Sequence, residues 1–516
     1  MELEKAKTSI SLGIVMNYVR IAIFLLLSLF YPPFLLSCVH KVDNGILNYA
    51  TALLQIVTLL SFGVENSYVR FATKREKEGA LSKVNGSYLL LFGIVSLAIV
   101  IVGIGLAFMY RDGLLSIEEV PASSSSLVFY VLLIVTLSTA VDFFFSFFVW
   151  AEVFRSRFLL HQSALIVTKL LSVGCSCLAL VYGGGILWVA IATLIVQFAY
   201  GLFNLLYCLL KLKTPISFGA PKELKRDLSE IFRFSFFIFL TIAVSQIENN
   251  AGRVILSSTL GASSVTVFSY GLQFYTYAAL LSKGVADTFG PKVNKEAADG
   301  NEKEVHKTFL KASFVQMTVL FLAIGGFALV GRDFLTLWLG NEELNSTELL
   351  QIYVIALATL FLWSIPLSES LGVEVQRAYG KHKVLSVTNF LLALLSVPLS
   401  VLFVYVLPEG YRIYGPLLGS ALFVVLGFVL VDNLYYKRAL SLPIGAFFKD
   451  YGIVFAIAFG SFLFPFLMFE YVIPNGALSL WGSFFLKALS FLLLFFCAFF
   501  LVYRKRILLS LPKRGH

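Results

Sequence analysis

Apolar runs of roughly 20 residues follow one another along almost the whole chain, and lysine and arginine crowd into every second gap between them. A hydrocarbon core about 30 Å thick takes roughly 20 apolar residues of helix to cross. The pattern therefore predicts about fourteen membrane-spanning helices. They fall near 9–36, 46–68, 87–110, 127–149, 159–182, 185–210, 231–257, 264–288, 309–331, 347–372, 384–406, 414–436, 451–473 and 481–503 (spans 1 to 14). The segments on the N-terminal side, with their rims, hold 31 of the 40 Lys and Arg; the opposite loops hold only Lys41, Arg111, Arg332 and Arg412. By the positive-inside rule this basic side, with both termini, is expected in the cytoplasm.

Composition narrows the class. At 59% hydrophobic and 14% charged, the balance is that of a polytopic membrane protein and not of a water-soluble domain. The net charge of +10 sits in short loops beside membrane ends, so orientation and anionic headgroups account for it, and no nucleic-acid partner is expected. No loop exceeds about 20 residues, too short to fold alone, which places function inside the membrane. Span 1 is too long for a signal-peptide core and reads as a retained helix. Cys38, Cys175, Cys177, Cys208 and Cys497 show no C-x-x-C spacing and no nearby histidine cluster, as expected of small packing residues. The chain shows no metal-ligand pattern, Gly-rich phosphate loop, G-x-S-x-G or paired-carboxylate constellation, so neither cofactor nor bond-breaking chemistry is expected.

A faint repeat divides the spans. A shift of 221 residues lays span 2 on span 8: Leu60-Ser61-x-Gly63-Val64 falls on Leu281-Ser282-x-Gly284-Val285, with Tyr49 on Tyr270 and Asn66 opposite Asp287. Span 6 and span 12 end alike, in Asn204-Leu205-Leu206-Tyr207 and Asn433-Leu434-Tyr435-Tyr436. Spans 1–6 and 7–12 thus read as two copies, parallel because six is even. The expected domains are an N-terminal six-helix half (1–210), a cytoplasmic connector (211–230), a C-terminal six-helix half (231–437), and an added helix pair with a basic tail (438–516).

Two six-helix bundles plus two helices resemble the multidrug/oligosaccharidyl-lipid/polysaccharide (MOP) exporter superfamily, and within it the polysaccharide biosynthesis proteins, the Wzx-type O-antigen flippases. The residues carrying the resemblance are Tyr31-Pro32-Pro33, Gly45-Ile46-Leu47-Asn48-Tyr49, Gly261-Ala262 with Val265–Tyr270, and Tyr414-Gly415 with Gly419-Ser420-Ala421. The resemblance implies two bundles around a central cleft and no catalysis. It also implies a lipid-linked oligosaccharide substrate, a bacterial cytoplasmic (inner) membrane, and membrane lipids and other polysaccharide assembly proteins as partners.

Polar residues that break the apolar pattern are the candidates for a site, since a charge in mid-membrane normally faces a cavity or a partner. Arg20 lies about 17 Å into span 1 at 1.5 Å per residue, with Asn17 one turn earlier on the same face. Gln246, Asn249, Asn250 and Arg253 form one stripe of span 7, while Glu248 points to the opposite side, toward another helix of its own half. Span 8 presents Tyr270, Gln273, Phe274 and Tyr277, and tyrosine rings suit sugars by stacking and hydrogen bonding. Arg20 and Arg253, facing each other across the expected cleft, would hold phosphate oxygens in guanidinium forks. In the resembling flippases that anion is undecaprenyl pyrophosphate. Each residue also has a plainer reading. Arg20 neutralises a neighbouring carboxylate, Arg253 snorkels to the interface, and Lys283 and Asp287 form a helix ion pair. Asp142 and Lys169 either pair or leave Asp142 to bind a coupling cation. Glu65 and Asp287 are further ion-coupling candidates; Glu369 and Asp432 are expected at the interface.

The expected activity is a flippase. The two halves rock about the cleft, carrying a lipid-linked O-antigen or other polysaccharide repeat unit from the cytoplasmic to the outer leaflet by alternating access. The competing readings are a lipid II flippase, a cation-coupled drug antiporter of the same superfamily, and a membrane glycosyltransferase or polymerase. An antiporter wants a carboxylate-rich cavity, and a polymerase wants a large external loop that the sequence lacks.

Overall fold

The computed structural model describes residues 2–121, 124–340, 343–474 and 479–510. The last part of the expected basic tail, 511–516, lies outside the described residues. Among these residues every regular element is helical, as a chain crossing lipid requires when no water can satisfy its backbone. Eleven helices are long and apolar enough to cross a membrane, and they coincide with spans 1, 3–7, 9 and 11–14. The other three predicted spans are helical in a different manner. Span 8 is one continuous helix, Ala262–Ala298. Span 10 is Ser346–Leu362 followed by a short helix, Ser364–Ser368. Span 2 is Lys41–Val57 followed by two 3-10 turns, Thr58–Ser61 and Val64–Ser67. The architecture is therefore that of an all-α polytopic membrane protein, consistent with fourteen spans.

Local chemistry explains several boundaries. Asn345 caps span 10 by accepting from Glu348 N at 2.9 Å, and the Glu348 carboxylate accepts from Asn345 N at 2.9 Å; this reciprocal box satisfies two otherwise orphaned donors. Span 2 breaks where Phe62 and Gly63 both take positive φ (48° and 66°). Its repeat mate around Gly284 stays helical. At the break the backbone of span 7 comes close: a Cβ on Gly63 would stand 3.1 Å from Phe239 N.

The chain packs as two compact units, Met1–Ser269 with Lys383–Phe423 and Tyr270–His382 with Val424–His516. Within the first unit, span 2 runs along span 7, and Gly45 lies so near the turn before span 8 that a Cβ would meet Ala262 O at 1.8 Å. The 211–230 connector lies in this unit. It is pinned by Asn85, whose Nδ2 donates to Pro215 O at 2.8 Å, and by Ser217 N donating to Ser82 O at 3.0 Å. Within the second unit, the added pair packs on span 9: Lys487 Nζ lies 2.8 Å from Asp333 Oδ2, and Gly325 faces the Phe491 ring. Here the sequence expectation for two carboxylates fails. Glu369 and Asp432 are not interfacial; each is only 3% exposed. Asn433 Nδ2 donates to Glu369 Oε1 at 3.1 Å, and Asp432 ends a π-helical stretch, Val424–Asp432. Nearness to a span end did not imply contact with water, because neighbouring helices close over that end.

Candidate functional site

The first unit encloses a cavity of about 600 Å³ whose wall is mainly polar side chains inside an apolar chain. Span 2 supplies one wall through Asn44, Asn48, Thr51 and Gln55. Their spacing of four, three and four residues keeps them on a single helix face. Span 4 adds Ser138, Asp142 and Ser146, four apart; span 5 adds Lys169, Ser172 and Ser176; span 6 adds Thr193 and Gln197. The broken end of span 2 brings Glu65 into the same wall, and span 7 contributes Gln246.

Hydrogen bonds knit these groups across helices. Ser138 Oγ donates to Gln197 Oε1, joining spans 4 and 6. Asn48 Nδ2 donates to Asn44 Oδ1 at 3.3 Å. Gln246 Nε2 reaches Gln55 Oε1 at 3.5 Å, at the long limit of a hydrogen bond. Behind Gln246 the span 7 stripe forms a relay. Asn250 Nδ2 donates to Gln246 Oε1 at 2.8 Å, and Arg253 Nη1 donates to Asn250 Oδ1 at 3.2 Å. The stripe read from sequence is therefore a connected line, of which only Gln246 reaches the cavity wall. Asn249 turns back to its own helix, donating to Ser245 O at 2.8 Å.

The remaining candidates have these places. Asp142, Glu65 and Lys169 meet in the cavity, and among the described residues no ion pair links Asp142 to Lys169. Arg20 stands outside it, one ring away. Its guanidinium donates to Asn17 Oδ1 at 2.8 Å and lies 5.4 Å from the Phe24 centroid, while Lys169 Nζ lies 5.9 Å from that same ring. Both distances are within cation–π range. In the second unit, Tyr270 is buried and meets Trp338 at 6.5 Å between centroids. Phe274 packs against Phe327 in a tilted pair at 4.5 Å between centroids, and Gln273 donates to the Tyr277 hydroxyl. Lys283 and Asp287 form the helix ion pair, at 3.0 Å and exposed. Glu248 points away from the stripe, as expected, and accepts from Ser396 Oγ at 2.9 Å.

Sequence reasoning missed the span 2 wall. Its signal was present as four polar residues at helical spacing in an apolar run, but none is charged, and charge had guided the search. Among the described residues no three His, Cys, Asp or Glu cluster to hold a metal ion. The cavity's means are thus amides, hydroxyls, two carboxylates and one ammonium: a surface for binding polar solute within the membrane.

These features define a many-span helical membrane protein with a polar cavity among its helices. Residues 7–286 match the family model described as polysaccharide biosynthesis protein, and the chain belongs to that family. Solved structures share its fold. A structure titled lipid II flippase MurJ, inward closed conformation, aligns with TM-score 0.70 at 16% identity over 97% of this chain and 99% of that one. An inward-facing multidrug resistance MATE family transporter aligns with TM-score 0.60 at 16% identity over 86% of this chain and 99% of that one. A MOP superfamily transporter from Pyrococcus furiosus aligns with TM-score 0.56 at 14% identity over 86% of this chain and 96% of that one. No curated protein matches the sequence. The fold is one that a flippase and multidrug transporters also adopt.

Proposed function

We propose that this protein is a flippase that moves an undecaprenyl-pyrophosphate-linked oligosaccharide, an O-antigen or other surface polysaccharide repeat unit, from the cytoplasmic to the outer leaflet of the bacterial cytoplasmic membrane. The observation that carries the reading is the cavity, with its amides and hydroxyls from five spans and Gln246 of a sixth. Amides and hydroxyls both donate and accept, which suits the hydroxyls and ring oxygens of a sugar and would stand idle toward a hydrocarbon. Arg20 and Arg253 remain the proposed holders of the pyrophosphate, with Asn17, Asn249, Asn250, Tyr270, Gln273 and Tyr277 as further contacts. Lys169 is a basic group already inside the cavity. Asp142 and Glu65 serve as ion-coupling groups; Asp287, tied to Lys283, is the weakest of the three candidates. Alternating access carries the headgroup across while the lipid tail stays in the bilayer.

Deleting the gene tests the reading: a lipid-linked glycan should accumulate on the cytoplasmic leaflet while surface glycan is lost. Unchanged surface glycan would overturn it. The fold shared with a lipid II flippase favours one second reading, in which cell-wall precursor accumulates instead. The same extraction of lipid-linked intermediates separates the two.

A further inference from the structure

Residues 112–121, which follow span 3, reach across the first unit to the turn between spans 7 and 8. Glu118 brackets that turn with its backbone: its N–H donates to Ser257 O at 3.0 Å, and its carbonyl accepts from Ala262 N at 3.2 Å. The Glu119 carboxylate accepts from Ser263 N at 3.1 Å and from Ser263 Oγ. The helix that carries span 7 ends at Thr259, and the helix of span 8 begins at Ala262. The last carbonyls of one helix and the first N–H groups of the next find no partner within their own helix. A segment 144 residues away in sequence partners three of them, and its carboxylate meets the favourable end of the span 8 helix dipole. Gly261, at φ 98°, makes room for that carboxylate, since a Cβ there would stand 2.5 Å from Glu119 Cδ. Glu119 itself holds φ 66°, the left-handed region that strains a residue with a side chain. Such strain persists only where surrounding contacts impose it, and it gathers at working parts of proteins.

On its other side the turn abuts the end of the span 2 wall. Asn44 lines the cavity; its neighbour Gly45 packs against the Ala262 carbonyl, and Thr266 Oγ1 donates to Lys41 O at 2.7 Å. The turn is thus clasped between span 2 and residues 112–121, at the end of the cavity away from the basic rims. The two grips differ in kind. Gly45 and Ala262 are buried and meet backbone to backbone, so parting them moves helices. Glu118 and Glu119 are exposed, so water can replace each of their bonds as it breaks. The grip that lets go at low cost is theirs.

We propose that residues 112–121 form a strap that holds the cavity shut at the face opposite the basic rims, with Glu119 as its releasable catch. The inference rests on the alternating-access reading above. The test places Thr51→Cys, in the cavity wall, in the full chain with its five cysteines replaced by alanine, and labels it with a membrane-impermeant maleimide. Adding Glu119→Ala should raise labelling from outside intact cells at least about fivefold, as loss of an ordinary hydrogen bond allows. Labelling from the basic side, in inverted vesicles, should not rise. Unchanged labelling from outside would overturn the proposal, as would an equal rise from both faces, the mark of a merely loosened protein. A second arm oxidises the pair Glu119→Cys and Ser263→Cys to a disulfide in the same background without Thr51→Cys. Glycan export should then stop and return on reduction; undiminished export by the cross-linked protein would also overturn the strap. Labelling needs no substrate, so it judges the strap separately from the gene deletion that judges the flippase reading.

Discussion

Arg75 Nη2 lies 2.6 Å from Asp227 Oδ1, joining the short helix Tyr68–Lys77 after span 2 to the connector end of the helix Pro221–Thr259 that carries span 7, across 152 residues of sequence. Both side chains are nearly closed off from water, at 12% and 8% exposure, and Glu78 and Glu230 lie 2.8 and 3.6 Å from the same guanidinium. Beside it Arg70 covers the Phe234 ring at 4.1 Å, and Phe71 packs edge-on against it. The pair fastens two segments far apart in sequence within the first unit. A double-mutant cycle of Arg75→Ala and Asp227→Ala, read by thermal unfolding, should give a coupling of about 1–3 kcal/mol. A coupling indistinguishable from zero would mean the contact is incidental.

The connector should be protected from proteases for the same kind of reason. Asn85 is fully buried, accepts from the Tyr68 hydroxyl at 2.9 Å and donates to Pro215 O. Asn85→Leu leaves that hydroxyl and carbonyl unmatched, at a cost of about 1–3 kcal/mol. Cleavage between residues 211 and 220 should quicken by about tenfold or more in limited proteolysis, since opening is then easier by that free energy. Equal cleavage rates in both proteins would count against the pinning role.

Glycine positions offer a sharp contrast. Gly45→Ala drives a methyl to within 1.8 Å of the Ala262 carbonyl oxygen, a backbone atom that can yield only if helices part. Overpacking of this kind costs about 1–3 kcal/mol or more, so a clear loss of melting temperature is expected. Gly105→Ala, with nothing near its Cβ position, should change stability by about 1 kcal/mol or less. Similar behaviour of the two variants would refute the close approach.

For transport, Lys169→Met and Gln55→Leu are the informative changes. If the ammonium holds an anionic group of the substrate, its loss removes a charge-assisted bond worth about 1.5–3 kcal/mol. Export of surface glycan in the deletion strain should then fall by tenfold or more at equal protein level. Gln55→Leu cuts the Gln246 relay and should lower export while leaving Arg253 bonded to Asn250. Normal export by both would remove the cavity from the transport path.

Hydropathy and charge made the spans legible, because membrane thickness imposes length and the basic loops impose phase. The span 7 stripe was legible too, since Gln246, Asn250 and Arg253 recur at helical spacing and are bonded in that order. What a linear pattern cannot carry is which helix lies beside which. Glu369 and Asp432 read as interfacial because they sit near span ends, yet other helices cover them. Arg20 read as a cleft residue because it is deep; the structure sets it against the Phe24 ring, which Lys169 also approaches, a contact that no linear pattern shows. The break in span 2 was illegible for another reason: Leu60-Ser61-x-Gly63-Val64 and its repeat mate differ little, and the close approach of Phe239 favours the turn in one of them.

The span 2 wall also explains why the internal repeat is so faint. In the 221-residue register, Asn44, Asn48, Thr51 and Gln55 fall on Val265, Ser269, Leu272 and Thr276. Both Val265 and Leu272 are buried. Two of the four polar positions of the span 2 wall thus become buried apolar side chains at the matching places of span 8, while Ser269 and Thr276 stay polar. A duplicated protein that divides labour in this way is released from keeping its halves alike. On the two-copy reading of the sequence, a position that lines the cavity in one copy is free to become apolar packing in the other, and even the turn at Phe62-Gly63 has no counterpart at Gly284.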